Sequence, residues 1–104
     1  MQIEHAGVTL TGHEARPAGE GPFPTVLVMH SAVGLNDFYR SKAPLLAERG
    51  WLAIAINMYG PDVDVTNEAS YGAAYMQYLE RPEAVRERAL AWLDAITARP
   101  DVDF

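Results

Sequence analysis

Cysteine is absent from this 104-residue chain and basic residues are few, with eight lysines and arginines against fourteen acidic residues and a formal net charge of −6. The lack of cysteine excludes disulfides, thiolate metal sites and a cysteine nucleophile on this chain, and it fits a reducing compartment. The shortage of lysine and arginine argues against nucleic acid or an anionic membrane surface as a partner, because both are bound by clustered positive charge.

Long hydrophobic runs are also absent. Residues 1–5 show neither the basic patch nor the apolar stretch of a signal peptide, and no run approaches the length of a membrane span. We therefore expect a soluble, cytoplasmic protein. Hydrophobic residues still make up 49% of the sequence, so the chain can bury a core, and its length suits one domain over residues 1–104.

Two apolar runs of strand length are the most informative part of the sequence. The first, residues 24–30, enters a turn at residues 31–37, and the second, residues 51–57, follows a helical stretch and Gly50. Neither run alternates apolar with polar residues, which is typical of strands buried on both faces of a parallel sheet. This segment therefore predicts one βαβ unit.

The segment before this unit predicts an edge hairpin. Residues 3–15 form two extended stretches broken at Ala6-Gly7, and Val8 and Leu10 alternate with threonines at the period of a half-buried strand. An antiparallel hairpin at the edge of the sheet is the natural interpretation.

Helices are predicted on either side of the second run. One begins with Ser41 as its N-cap and is closed by Gly50, a second covers residues 68–79, and a third begins at Pro82. The third helix has apolar residues at helical spacing, which need a sheet to cover. These residues are Val85, Ala89, Trp92 and Ile96.

The order of these motifs resembles the dienelactone hydrolase family of α/β-hydrolases. In that family a strand ends in His or Gln, then come Glu, a spacer, Gly-Leu-Asn, a helix, Gly-Tyr, and a strand that ends before Tyr-Gly. Here those places are His30, Ser31, residues 34–36, Gly50-Trp51 and Tyr59-Gly60. The resemblance implies an α/β chain that forms the amino-terminal part of an α/β-hydrolase fold, with carboxylic ester hydrolysis as the activity.

The resemblance ends before the family's nucleophile elbow, Gly-x-Cys/Ser-x-Gly, which follows the helix that here ends near Pro100. Residues 99–103 resemble the turn that leads to the next central strand, which we expect just past Phe104. No Gly-x-Ser-x-Gly occurs, and all three histidines lie in the first third of the chain, whereas this fold supplies nucleophile, acid and histidine in that order, late in the sequence.

We therefore expect the amino-terminal part of a dienelactone-hydrolase-like ester hydrolase that needs no cofactor and is inactive alone. Its substrate would be a small ester or lactone, and its partner the missing carboxy-terminal half or a second copy of the chain. The alternative is a non-catalytic α/β remnant that acts as an interaction or self-association module.

Ala32 and Ser31 are the candidate catalytic positions. The resemblance implies that the backbone amide of Ala32 is one of two oxyanion donors. Without the family resemblance, residues 31–36 would be interpreted as a simple strand-to-helix turn. Ser31 stands where much of the family has a glutamate that pairs with the resting cysteine, which favours a serine nucleophile or another substrate. Ser31 itself is a poor nucleophile candidate, since no motif frames it and His30 should point to the opposite face.

Substrate-binding candidates are Val33, Tyr71 and Tyr75. Tyr71, Tyr75 and Tyr78 form an aromatic stripe at helical spacing, which could line a pocket above the sheet or, as the more common alternative, pack into the core.

The remaining polar residues suggest structural roles. We expect His30 to bond to the backbone at the strand end, and His5 and His13 to face solvent on the hairpin. Acidic residues in the 62–68 loop faintly resemble a calcium loop, but the required central glycine is missing, so no metal site is predicted.

Overall fold

The computed structural model describes residues 1–104 as an α/β fold with a four-stranded sheet and a separate two-stranded sheet. The strands and helices, in chain order, are β1 (Gln2–His5), β2 (Val8–Thr11), β3 (His13–Ala15), β4 (Phe23–Met29), α1 (Asp37–Arg40), α2 (Lys42–Ala47), β5 (Leu52–Ile56), α3 (Glu68–Glu80), α4 (Pro82–Thr97) and β6 (Val102–Asp103).

The large sheet has the strand order β3-β5-β4-β6. β4 and β5 are parallel, with Thr25 opposite Leu52 and Met29 opposite Ile56. β3 joins β5 in the antiparallel direction, and β6 runs parallel to β4. The predicted βαβ unit is therefore confirmed, and the carboxyl ends of β4 and β5 lie side by side.

Burial differs between the two parallel strands. Every residue of β5 is buried, whereas β4 has half-buried residues and ends at Met29, which is 50% exposed. The reason is position in the sheet: β5 has a neighbour on each side, but β6 pairs with β4 only at Phe23 and Pro24. Burial on both faces was correctly predicted for β5 and wrongly for β4.

The predicted hairpin exists, but its place in the fold was wrong. β1 and β2 pair around Ala6 and Gly7, both with positive φ, and form their own sheet. The strand at the edge of the large sheet is β3. The chain bends at the buried Gly12, where an added Cβ would lie 3.0 Å from the Trp92 ring, and this bend carries β3 away from the hairpin to β5.

The first helical segment starts earlier than predicted. Asn36 is the N-cap of α1, because its side chain accepts from the backbone N–H of Tyr39, and Ser41 has helical dihedrals and donates its hydroxyl to the Phe38 carbonyl. Ser41 begins α2 without capping it through its side chain. Gly50, with φ of 96°, closes this segment as expected.

The later helices agree with the prediction. In α4, Trp92 and Ile96 are buried, and Val85 and Ala89 pack against the same core. β6 begins at Val102, so the strand after α4 starts earlier than the sequence suggested. None of the helices has the length and hydrophobicity needed to span a membrane.

Candidate functional site

A cavity of about 260 Å³ lies where β4 and β5 end. Residues 29–32 and 58–59 form one side, and Tyr75, Tyr78 and Leu79 of α3 form another. A second depression, of about 470 Å³, lies beside it and is also bounded by Ala32 and Tyr75. The crevice beyond the carboxyl ends of parallel strands is where open α/β sheets bind ligands.

The loop after β4 is a tight turn. The Gly34 N–H donates to the Ser31 carbonyl at 3.1 Å, and Gly34 has φ of 87°. A Cβ at this position would lie 2.6 Å from Val65 Cγ1 and 3.2 Å from the Tyr59 ring. Glycine is therefore required both by the backbone conformation and by the packing of the 61–67 loop.

Ala32 lies at the second position of this turn and borders both depressions. Its backbone N–H makes no hydrogen bond within the protein. The Ala32 carbonyl, in contrast, accepts a hydrogen bond of 2.6 Å from the Tyr59 hydroxyl. The turn thus presents an unused amide donor beside the cavity.

His30 connects the ends of the two parallel strands. Its Nε2 accepts from the Met58 N–H at 2.9 Å, and its Nδ1 donates to the Ser31 carbonyl at 2.8 Å. Burial lowers the pKa of His30, so the ring is neutral near pH 7. The expected bonding of His30 to the backbone is present, and neither ring nitrogen is left to act as a base for Ser31.

The Ser31 hydroxyl lies at 2.8 Å from the Tyr39 hydroxyl, which donates to it. The hydrogen bond with the Ser31 side chain lowers the pKa of Tyr39, because the serine can donate to a phenolate. Ser31 is exposed and borders the cavity, yet no base contacts it. Its arrangement suits hydrogen bonding better than nucleophilic attack.

A cluster around Arg88 was missed by the sequence reasoning. The Arg88 side chain donates to the Met58 carbonyl, to the Tyr78 hydroxyl and to His5 Nδ1, at 3.0, 3.0 and 3.3 Å. His5 is therefore half-buried rather than turned to solvent, and only His13 is exposed as expected. Contacts between residues 83 positions apart leave no local signal in the sequence.

Two tyrosines of the cavity are stacked. The Tyr59 and Tyr78 rings lie 5.7 Å apart at 30°, and the Tyr78 hydroxyl donates to the Met58 carbonyl. Burial raises the pKa of both groups, so both remain protonated donors at neutral pH. Asn57 shapes the backbone below them, since its side chain accepts from the N–H groups of Tyr59 and Gly60.

The predicted substrate-binding residues are only partly brought together. Tyr75 borders both depressions and Tyr71 borders the second, whereas Val33 is half-buried and lines neither. In the 62–68 loop, Asp64 accepts hydrogen bonds from the backbone and hydroxyl of Thr66. No group of three possible metal ligands is found in the structure.

Residues 10–104 match the family model described as "Dienelactone hydrolase family". The chain belongs to the dienelactone hydrolase family. Among solved structures, a dienelactone hydrolase-like promiscuous phosphotriesterase, P91, from metagenomic libraries is 35% identical with a TM-score of 0.86 over 98% of this chain. A protein named m3DLH is 27% identical with a TM-score of 0.87 over 99% of the chain. These likenesses confirm the α/β-hydrolase fold and place the chain in a hydrolase family.

Curated relatives of the chain also indicate a hydrolase family. A carboxymethylenebutenolidase homologue from Azospirillum brasilense is 30% identical over 63 residues, which are 58% of this chain. The match spans only 27% of that relative, and the chain covers 43% of each of the two solved structures.

Proposed function

We propose that this chain forms the amino-terminal part of the active site of a carboxylic ester hydrolase. It supplies one oxyanion-binding amide, that of Ala32, and one wall of the substrate pocket. The nucleophile, the acid and the general-base histidine come from residues outside this sequence, which has no Gly-x-Ser-x-Gly motif and no cysteine.

The unused N–H of Ala32 is the observation that carries this proposal. In acyl transfer, attack on the ester carbonyl moves negative charge to the carbonyl oxygen, and pre-oriented backbone amides stabilise that charge. The Ala32 amide has no internal partner, borders a cavity and follows a parallel strand at its carboxyl end. In the α/β-hydrolase fold the second amide belongs to the residue after the nucleophile.

The cavity favours a small, largely apolar substrate. Its lining is dominated by apolar and aromatic side chains such as Met29, Tyr75 and Leu79, and it contains no lysine, arginine or carboxylate. A volume of about 260 Å³ fits a small ester or lactone. Tyrosine hydroxyls supply the few polar contacts that such a pocket needs to orient its ligand.

The test uses hydrolysis of a p-nitrophenyl ester, first by the chain alone. We expect no turnover above a protein blank. The same assay on a hybrid polypeptide, in which this chain replaces the matching 43% of the metagenomic relative, should show turnover. Robust turnover by the chain alone would contradict the proposal.

Ala32 variants of that hybrid test the amide itself. Ala32→Pro removes the N–H and should lower kcat by about a hundredfold, the usual loss for one oxyanion donor. Proline is favoured at the second position of a turn, so the fold should survive. Ala32→Gly keeps the N–H and should cost much less. Equal losses from both variants at equal folded yield would refute a donor role.

A second candidate function is self-association, and the open edge of β4 favours it. β6 pairs with β4 only at Phe23 and Pro24, so the backbone from Thr25 to Met29 has no strand on that side. An unpaired edge is a template for another chain. In this case the partner is a second copy of the chain.

A further inference from the structure

We propose that His30 is a positioning residue which fixes the direction of the Ala32 N–H. This inference rests on the proposed role of Ala32 as an oxyanion donor and extends it to a residue that acts through the peptide bond between Ser31 and Ala32.

The two hydrogen bonds of His30 determine its tautomer. The Met58 N–H can only donate, so Nε2 must be the unprotonated nitrogen. The Ser31 carbonyl can only accept, so Nδ1 must carry the proton. One neutral tautomer alone satisfies both hydrogen bonds. The ring thereby joins the backbone after β5 to the backbone after β4.

The rigid peptide bond between Ser31 and Ala32 links this hydrogen bond to the Ala32 N–H. The Ser31 carbonyl and the Ala32 N–H belong to the same planar trans peptide, so fixing one fixes the other. Two donors hold that carbonyl, His30 Nδ1 at 2.8 Å and the Gly34 N–H at 3.1 Å. Without the imidazole only the Gly34 bond of the turn would resist rotation of this peptide.

The surroundings of the His30 ring favour its neutral form. The ring centroid of Tyr59 lies 4.9 Å from that of His30. The ring centroid of Tyr39, in α1, lies 6.3 Å from it. Both hydroxyls donate hydrogen bonds, that of Tyr59 to the Ala32 carbonyl and that of Tyr39 to the Ser31 hydroxyl, and both hydrogen bonds of the imidazole go to backbone groups. Burial adds to this by lowering the pKa of His30. The neutral tautomer is therefore maintained, and an oxyanion donor gains most from such pre-orientation.

Nuclear magnetic resonance on the ¹⁵N-labelled chain tests the proposal without any activity. We expect His30 to show the Nδ1–H tautomer near pH 7, and the Ala32 N–H to have an order parameter of about 0.85, as in rigid backbone. His30→Leu removes both hydrogen bonds and should lower that value toward 0.6. His30→Gln retains one acceptor and one donor and should restore it.

Tyr59→Phe is the matched control. It removes the hydroxyl that holds the Ala32 carbonyl, which belongs to the next peptide, and should loosen the Val33 N–H while leaving the Ala32 N–H ordered. An Nε2–H tautomer in the unmodified chain would overturn the proposal, and this observation needs no variant to fold. An unchanged order parameter for Ala32 in folded His30→Leu would overturn it equally.

The hybrid enzyme separates this inference from the proposed function. There His30→Leu should lower kcat by about tenfold or more with little change in KM, because a misplaced group costs transition-state stabilisation, and His30→Gln should recover most of the loss. If Ala32→Pro leaves turnover intact, the oxyanion role of Ala32 fails. The tautomer and order parameters then still decide whether His30 positions the turn.

Discussion

At the scale of single residues, the proposed site is formed by backbone groups that side chains hold in place. In the proposal Ala32 contributes its backbone amide, and a backbone group leaves no signal of function in the residue type. Gly34 has a positive φ, and His30 and Tyr59 donate hydrogen bonds to the Ser31 and Ala32 carbonyls, two successive peptides of this turn. A substitution at Gly34 therefore tests whether this turn depends on a residue with positive φ.

Gly34→Ala should destabilise the protein by about 1–3 kcal/mol, because a residue with a Cβ is strained at φ of 87° and would meet Val65 at 2.6 Å. Gly72→Ala is the matched control. Gly72 lies within α3 without positive φ, with nothing within 4 Å of an added Cβ, and this change should stabilise by about 0.5–1 kcal/mol. Urea unfolding of both variants measures the difference, and equal effects would contradict the prediction.

At the scale of secondary structure, side chains of α3 and α4 hold the segment after β5. Tyr78 and Arg88 share the Met58 carbonyl, and the Trp92 indole N–H donates to the Asn57 carbonyl at 2.9 Å. Arg88 also reaches His5 on β1, so one guanidinium joins a helix, the hairpin and the cavity rim.

Arg88→Met should lower the free energy of unfolding by about 1–3 kcal/mol, since several part-buried acceptors lose a charged donor while the apolar stem is kept. Arg86→Met on the exposed face of the same helix is the control and should change it by less than about 0.5 kcal/mol. Thermal and urea unfolding provide the measurement. Similar losses in both variants would assign the effect to helix composition instead.

At the scale of the whole molecule, an ion-pair network joins the two edge strands of the large sheet. Arg99 binds both carboxylate oxygens of Glu14 on β3, each at 3.0 Å, and also binds Asp101 just before β6. Hydrogen bonds from Arg99, with a smaller contribution from Arg16, lower the pKa of Asp101 to about 2. The hydrogen bonds from Arg99 also lower the pKa of Glu14.

The network predicts acid sensitivity. Both carboxyl pKa values are depressed in the folded state, so their stabilisation is present above the unfolded values of about 4 and is lost as the pH falls toward about 2. Urea midpoints across this range should decline, and Asp101→Asn should flatten the decline. A decline of equal steepness in Asp101→Asn would show that other carboxyls are responsible.

The open edge of β4 predicts association. Light scattering over a dilution series should show an average molar mass above that of the monomer, which either rises with concentration or reflects a stable complex with a second polypeptide. Met29→Lys, at the exposed end of this strand, should reduce association, whereas Leu45→Lys on α2, equally exposed, should not. A dispersed monomer at all concentrations would exclude self-association.

Local patterns in the sequence determined the βαβ unit, the start of α4 at Pro82 and the turn at Gly50 that follows α2, because unbroken apolar runs, proline and glycine act on their own segment. The same patterns carried the family resemblance, and they predicted the turn at residues 31–34. Tertiary structure alone decided that β3 leaves the hairpin, that Arg88 meets His5, and that His30 bonds Met58. The physical reason is distance along the chain, since hydrogen bonds between residues 28 or 83 positions apart depend on how the elements pack.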